Sequence, residues 1–143
     1  MKTIIVISGR GSTGKTASVI EIRKEMIEKG GISQNFRPLG GTDDFRDIVF
    51  YNGKKIAFLS MGDPIKEHLK FLESLAKEDV DIYICASRTK GSTIDNVKQI
   101  ASKYGYKIIR TSNYRGGKGG IMPNGVELNS LFADSIIHLV DNL

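Results

Sequence analysis

The β-branched, apolar run Thr3-Ile4-Ile5-Val6-Ile7-Ser8 leads directly into Gly9-Arg10-Gly11-Ser12-Thr13-Gly14-Lys15-Thr16, and a helical pattern follows at once. The run reads as a buried central strand of a parallel sheet. From Lys15 the period changes, and Val19, Ile22, Met26 and Ile27 fall on one helical face until Gly30-Gly31 stops it. The eight residues between fit Gly-x-x-x-x-Gly-Lys-[Ser/Thr] in full. Glycines let the backbone curl so that successive amides face an anion, and the following helix aims its positive end at the same point. Lys15 can bridge β- and γ-oxygens of a triphosphate, and the Thr16 hydroxyl can ligate Mg²⁺.

The remaining chain alternates strands and helices. An irregular stretch, Gln34 to Asp47, contains Pro38, Gly40-Gly41 and Asp43-Asp44. Asp47 to Tyr51 and Lys54 to Ser60 flank Asn52-Gly53, a pair suited to a tight hairpin because both turn residues adopt positive φ. A second helix is expected from Asp63 as N-cap and Pro64 at the first helical position, burying Ile65, Leu69, Leu72 and Leu75. Asp81 to Ala86 and Tyr106 to Arg110 read as strands. Between them a helix opens at Ser92 with Ile94, Val97, Ala101 and Tyr104 on one face. A glycine-rich, basic loop, Thr111 to Asn124, precedes a last helix. There Asn124 and Glu127 resemble a capping box, and Leu128, Leu131, Phe132, Ile136 and Leu139 form the stripe. The predicted fold is α/β: a three-layer sandwich with a mostly parallel sheet and one antiparallel hairpin, in a single domain spanning 1–143.

Composition narrows the class. With 143 residues, 40% hydrophobic and 26% charged, the chain supports one core rather than two. No run approaches the roughly 18 apolar residues that cross a bilayer, so no membrane partner is expected. The start lacks the pattern of a secretory signal, and the lone Cys85 excludes an intrachain disulfide, which points to a reducing, cytoplasmic setting. Cys85 lies in an apolar strand and reads as inert core. His68 and His138 have no partners at metal-ligand spacing. The net charge of +5 is uneven: from Arg88 to Lys118 eight basic residues face one acid, a local +7. That segment has a reason to meet a polyanion, either a phosphorylated small molecule or nucleic acid, and Tyr104, Tyr106 and Tyr114 are interleaved in it. It is equally a solvated basic face.

On the loop and the element order, the chain resembles the P-loop nucleoside triphosphatase superfamily, and its hairpin resembles the GTPase–kinase branch. The resemblance implies a nucleoside triphosphate held by Gly9, Arg10, Gly11, Ser12, Thr13, Gly14, Lys15 and Thr16, with Lys15 catalytic. It also implies an aspartate at the end of an apolar strand beside the loop. Asp63, after Ile56 to Met61, is the match, expected both as a Mg²⁺ ligand with Thr16 and as a catalytic residue. Thr42, Asp43 or Asp44 can then approach the γ-phosphate, although Asp43 and Asp44 also read as solvated loop residues.

Two rivals fail. The same glycines fit a dinucleotide fingerprint, but the candidate second strand near Ile32 to Leu39 ends without the required acid. A guanine-specific switch lacks its Asn-Lys-x-Asp motif after Arg110 and its Asp-x-x-Gly after Leu59, which leaves ATP as the default. Three readings stay open. The first is Mg²⁺-dependent ATP hydrolysis, with Asp63 or Asp43-Asp44 orienting water. The second is a small-molecule or nucleotide kinase, with Arg88, Arg115 and Lys118 as mobile cations over the transferring phosphate. The third is a nucleic-acid-associated ATP-binding module.

Overall fold

The computed structural model describes residues 2–10, 14–40, 42–114 and 125–143, with side chains in the last segment from Leu128 onward. Its elements in chain order are β1 Thr3–Ser8, α1 Lys15–Glu28, β2 Ile32–Ser33, β3 Arg37–Pro38, β4 Phe45–Tyr51 and β5 Lys54–Leu59. Then follow α2 His68–Ala76, β6 Ile82–Ser87, α3 Ser92–Tyr104, β7 Lys107–Thr111 and α4 Gly125–Asp141. Among the described residues these are seven strands and four helices in one mixed sheet, ordered β2-β4-β5-β6-β1-β7, with β3 also on β4.

The strands β5, β6, β1 and β7 are mutually parallel, and β4 turns back antiparallel on β5. Every residue of β1 and β6 is buried, as a strand covered on both faces requires. Alternation then sorts the core. Ile5 and Ile7 meet Val19, Ile22 and Met26 of α1 and Phe132, Ile136 and Ile137 of α4. Ile4 and Val6 meet Leu72 and Leu75 of α2 and Ile94, Val97 and Ile100 of α3 on the opposite face. Helices therefore cover both faces of the sheet.

The hairpin forms as predicted, with Asn52 and Gly53 at φ 51° and 75°. Three expectations are corrected. First, α2 starts at His68, not Pro64, with Glu67 at the N-cap position. The Asp63 side chain turns to Arg88 instead of capping, and the 63–67 segment closes as a turn through Ile65 N–H to the Asp63 carbonyl (2.9 Å). Ile65 is consequently 41% exposed rather than core. Second, Leu131 is 54% exposed, because α4 is rotated so that Ala133, Ile137 and Val140 enter the core beside Phe132 and Ile136. Third, the stretch read as irregular contains β3 and the start of β4, Phe45 to Asp47. Asn124 and the Glu127 side chain lie outside the described residues.

Candidate functional site

The carboxyl ends of β6, β1 and β7 frame one crevice. From β1 the chain leaves through α1 on one face, whereas β6 reaches β7 through α3 on the other, so β1 lies at a switch of direction. Open α/β sheets bind ligands at such a point. The segment leaving β1 is anchored there: Gly9 N–H donates to the Ser87 carbonyl at the end of β6 (3.1 Å), and the Ser8 and Ser87 hydroxyls pair at 3.1 Å.

Of the sequence-predicted loop, Gly9, Arg10, Gly14, Lys15 and Thr16 are described, while Gly11, Ser12 and Thr13 lie outside the described residues. Gly14 is the N-cap of α1 at φ +78°, a conformation any L side chain adopts only under strain. No side chain caps this helix start and no acid lies in its first turn, so its positive end is not neutralised by the helix itself. Lys15 is 6% exposed, and its Nζ donates to the Gly9 carbonyl (2.8 Å), turning the ammonium back to the end of β1. Burial lowers its pKa. The Asp63 charge opposes that shift and the Arg88 charge adds to it.

Asp44 is the carboxylate hydrogen-bonded to Thr16. Its Oδ1 accepts from the Thr16 hydroxyl at 3.1 Å and from the Ser60 hydroxyl at 2.9 Å. The hairpin explains its position. Because β4 runs antiparallel, its first residue lies at the carboxyl edge of the parallel strands, and the register pairs Arg46 with Leu59. Phe45 N–H donates to Ser60 Oγ (2.8 Å) and Ser60 N–H to the Phe45 carbonyl (3.1 Å). Asp44 thus emerges beside the start of α1, and Thr42 Oγ1 accepts from its amide (3.2 Å).

Asp63 reaches the same crevice from another direction. The strand before it, β5, is not the neighbour of β1, because β6 lies between them. Gly62 permits the crossing: a Cβ there would stand 2.9 Å from the Ala86 carbonyl carbon, so only glycine lets the chain pass over the end of β6. The Asp63 side chain is 63% exposed and accepts from an Arg88 guanidinium nitrogen at 3.3 Å. A cavity of about 370 Å³ is lined by Gly14, Lys15, Thr16, Asp43, Gly62 and Asp63. The predicted site residues Lys15, Thr16 and Asp63 therefore meet, and Asp44 and Gly62 join them.

The basic segment does not form one stripe among the described residues. Arg88 turns to Asp63, and Lys103 pairs with Glu73 of α2 at 2.8 Å. Arg110 Nε donates to Ser8 Oγ (3.1 Å) and its guanidinium to the Thr89 carbonyl, which fastens it at the carboxyl ends of β1 and β6. Lys107 stands at the opposite end of β7, level with Thr3. Tyr106 is buried, with its hydroxyl on the Ala76 carbonyl (3.2 Å), while Tyr114 is exposed and packs edge-on against Phe132. Arg115 and Lys118 lie outside the described residues.

Cys85 is buried, and burial pushes its thiol up to about 12, so it is unreactive core. His68 is buried in α2 against Asn96 (3.0 Å to Nδ1), and burial lowers its pKa. No group of three or more His, Cys, Asp or Glu side chains is placed to hold a metal among the described residues. Mg²⁺ does not require one, since it keeps several waters and takes few protein oxygens when phosphates complete its shell. No helix of the described residues is long and apolar enough to cross a membrane. No family model, curated protein or solved structure matches this chain.

Proposed function

We propose that the chain binds ATP as its magnesium complex in the crevice after β1 and hydrolyses the terminal phosphoanhydride. The observation that carries this reading is the Thr16–Asp44 contact (3.1 Å) beside the buried ammonium of Lys15, at an uncapped helix start. A hydroxyl, a carboxylate, a sequestered cation and a helix dipole converge on one crevice, and a polyanion with a hard divalent cation matches all four.

The residues divide the work by chemistry. The Gly9–Gly14 segment supplies backbone amides for the phosphates, and Lys15 offsets negative charge at the β- and γ-oxygens. A bound triphosphate would take over the ammonium from the Gly9 carbonyl, since an anionic oxygen is the stronger acceptor. Oxygen donors suit Mg²⁺, so Thr16 and Asp44 would hold it, with Asp63 on the same cavity wall. Bound there, the ion would neutralise charge on the phosphates. Asp63, exposed at the cavity wall, orients the attacking water and Arg88 holds that carboxylate in place. ATP is preferred because the guanine-reading motif is missing after β7.

Titration calorimetry tests the binding. Lys15→Ala is expected to weaken ATP at least about tenfold, roughly 1.4 kcal/mol. Unchanged affinity would remove the basis for this site. Phosphate release that needs no added acceptor distinguishes hydrolysis from transfer to a second substrate.

A further inference from the structure

A second cavity, also of about 370 Å³, adjoins the first on the α2 side. Leu39, Met61, Ile65 and Phe71 supply its apolar wall. Thr42, Asp44, Asp63 and Glu67 supply its polar lining, and no cationic side chain is part of the described lining. Asp63 borders both cavities, and Asp44 belongs to this wall while touching Thr16 of the other. The two spaces thus meet at carboxylates.

Two observations set this hollow apart from ordinary surface. The late start of α2 holds Ile65 out at 41% exposure, whereas Leu72 and Leu75 of the same helix are fully buried. An apolar wall therefore stands open to solvent beside the crevice. The charge also runs against the whole chain: a molecule of net +5 lines this hollow with three carboxylates, of which Arg88 reaches one, Asp63. An anionic occupant would be repelled, and a cation would be attracted over an apolar floor.

We propose that this cavity is a binding site for a small organic cation, an apolar body ending in an ammonium group. Its volume falls near the lower end of ligand pockets, about 300–1,000 Å³, which suits one ring or a short chain. The apolar part lies on Leu39, Ile65 and Phe71, and the ammonium faces Asp44, Asp63 and Glu67. Its position as the site of a second ligand, next to the terminal phosphate, rests on the ATP reading. Occupancy of the cavity itself does not.

The test uses the ¹⁵N-labelled full chain without nucleotide, titrated with 2-phenylethylammonium and with 3-phenylpropionate, which carry the same ring and opposite charges. The cation is expected to move amide signals of residues 42–44 and 61–67, half-saturating at least about tenfold below the anion. Ile65→Ser and Glu67→Gln, at exposed positions, are each expected to raise that half-saturation at least about threefold with unchanged circular dichroism and ATP affinity. Equal response to both probes, or shifts confined to other segments, would overturn the proposal. So would binding of a blocked lysine tripeptide without binding of 2-phenylethylammonium, since that identifies a protein side chain as the occupant. Lys15→Ala separates the two readings: retained ATP binding defeats the nucleotide site while leaving the cation titration to stand or fall alone.

Discussion

Asp44 carries one oxygen that accepts from both Thr16 and Ser60, so a neutral replacement of the same shape separates its charge from its packing. Asp44→Asn keeps an acceptor for both hydroxyls and is expected to leave the fold intact. It should lower Mg²⁺-dependent ATP affinity at least about tenfold, or 1.4 kcal/mol, and leave binding without Mg²⁺ no weaker. Calorimetry at zero and saturating Mg²⁺ measures the difference. The start of α1 at Lys15 was legible in the sequence, because a glycine suited to positive φ stands just before the helical period begins. Asp44 was half legible. Counting back from Asn52-Gly53 pairs position 45 with 60 and brings Asp44 to the loop edge, but an Asp-Asp pair beside glycines looks like solvated turn. Gly62 was not legible, since its reason is the backbone of Ala86, distant in sequence.

Elements reveal where local signals compete. Asp-Pro predicts a helix start at 63–64, yet the Asp63 side chain pairs with Arg88, a contact between residues 25 apart in sequence, and the helix begins at His68, a turn later. In α4 the apolar residues are dense enough to fit two adjacent stripes, so periodicity alone could not choose between Leu131 and Ala133. The segment before β4 is held by Asp47, which is fully buried. Its carboxylate accepts from Arg23 Nε (2.6 Å), Ser33 Oγ (2.7 Å) and Asn35 N–H (3.1 Å). Helix α1, strand β2 and the connection between β2 and β3 therefore depend on one side chain. Asp47→Ala leaves Arg23 beside the core without its partner and is expected to cost about 3 kcal/mol, read as a lower guanidinium midpoint at unchanged slope.

At the scale of the whole molecule, the two helical layers differ in their response to pH. Where α1 meets α4, partial burial together with Asp134 and Glu21 raises the Glu25 pKa from 4.5 to about 7. A raised carboxyl binds its proton more tightly in the folded chain than in the unfolded one. Its contribution is therefore present below pH 4.5 and is lost as pH rises through about 7. Solvent access reduces the expected effect to about 1 kcal/mol. Glu25→Gln should flatten that decline, and denaturation midpoints at pH 5 and pH 8 for both proteins check it.

The hairpin has a consequence at this scale too. Asn52-Gly53 lies at the far end of β4, seven residues long, and so about 23 Å from Asp44. The turn acts as a ruler for the crevice, because the residue that faces Thr16 is set by counting from the opposite side of the sheet. One residue inserted there would slide β4 against β5 and turn Asp44 toward the wrong face. Sensitivity to length, rather than to chemistry, is thus built into a solvent-exposed tip at the opposite end of the sheet from Thr16.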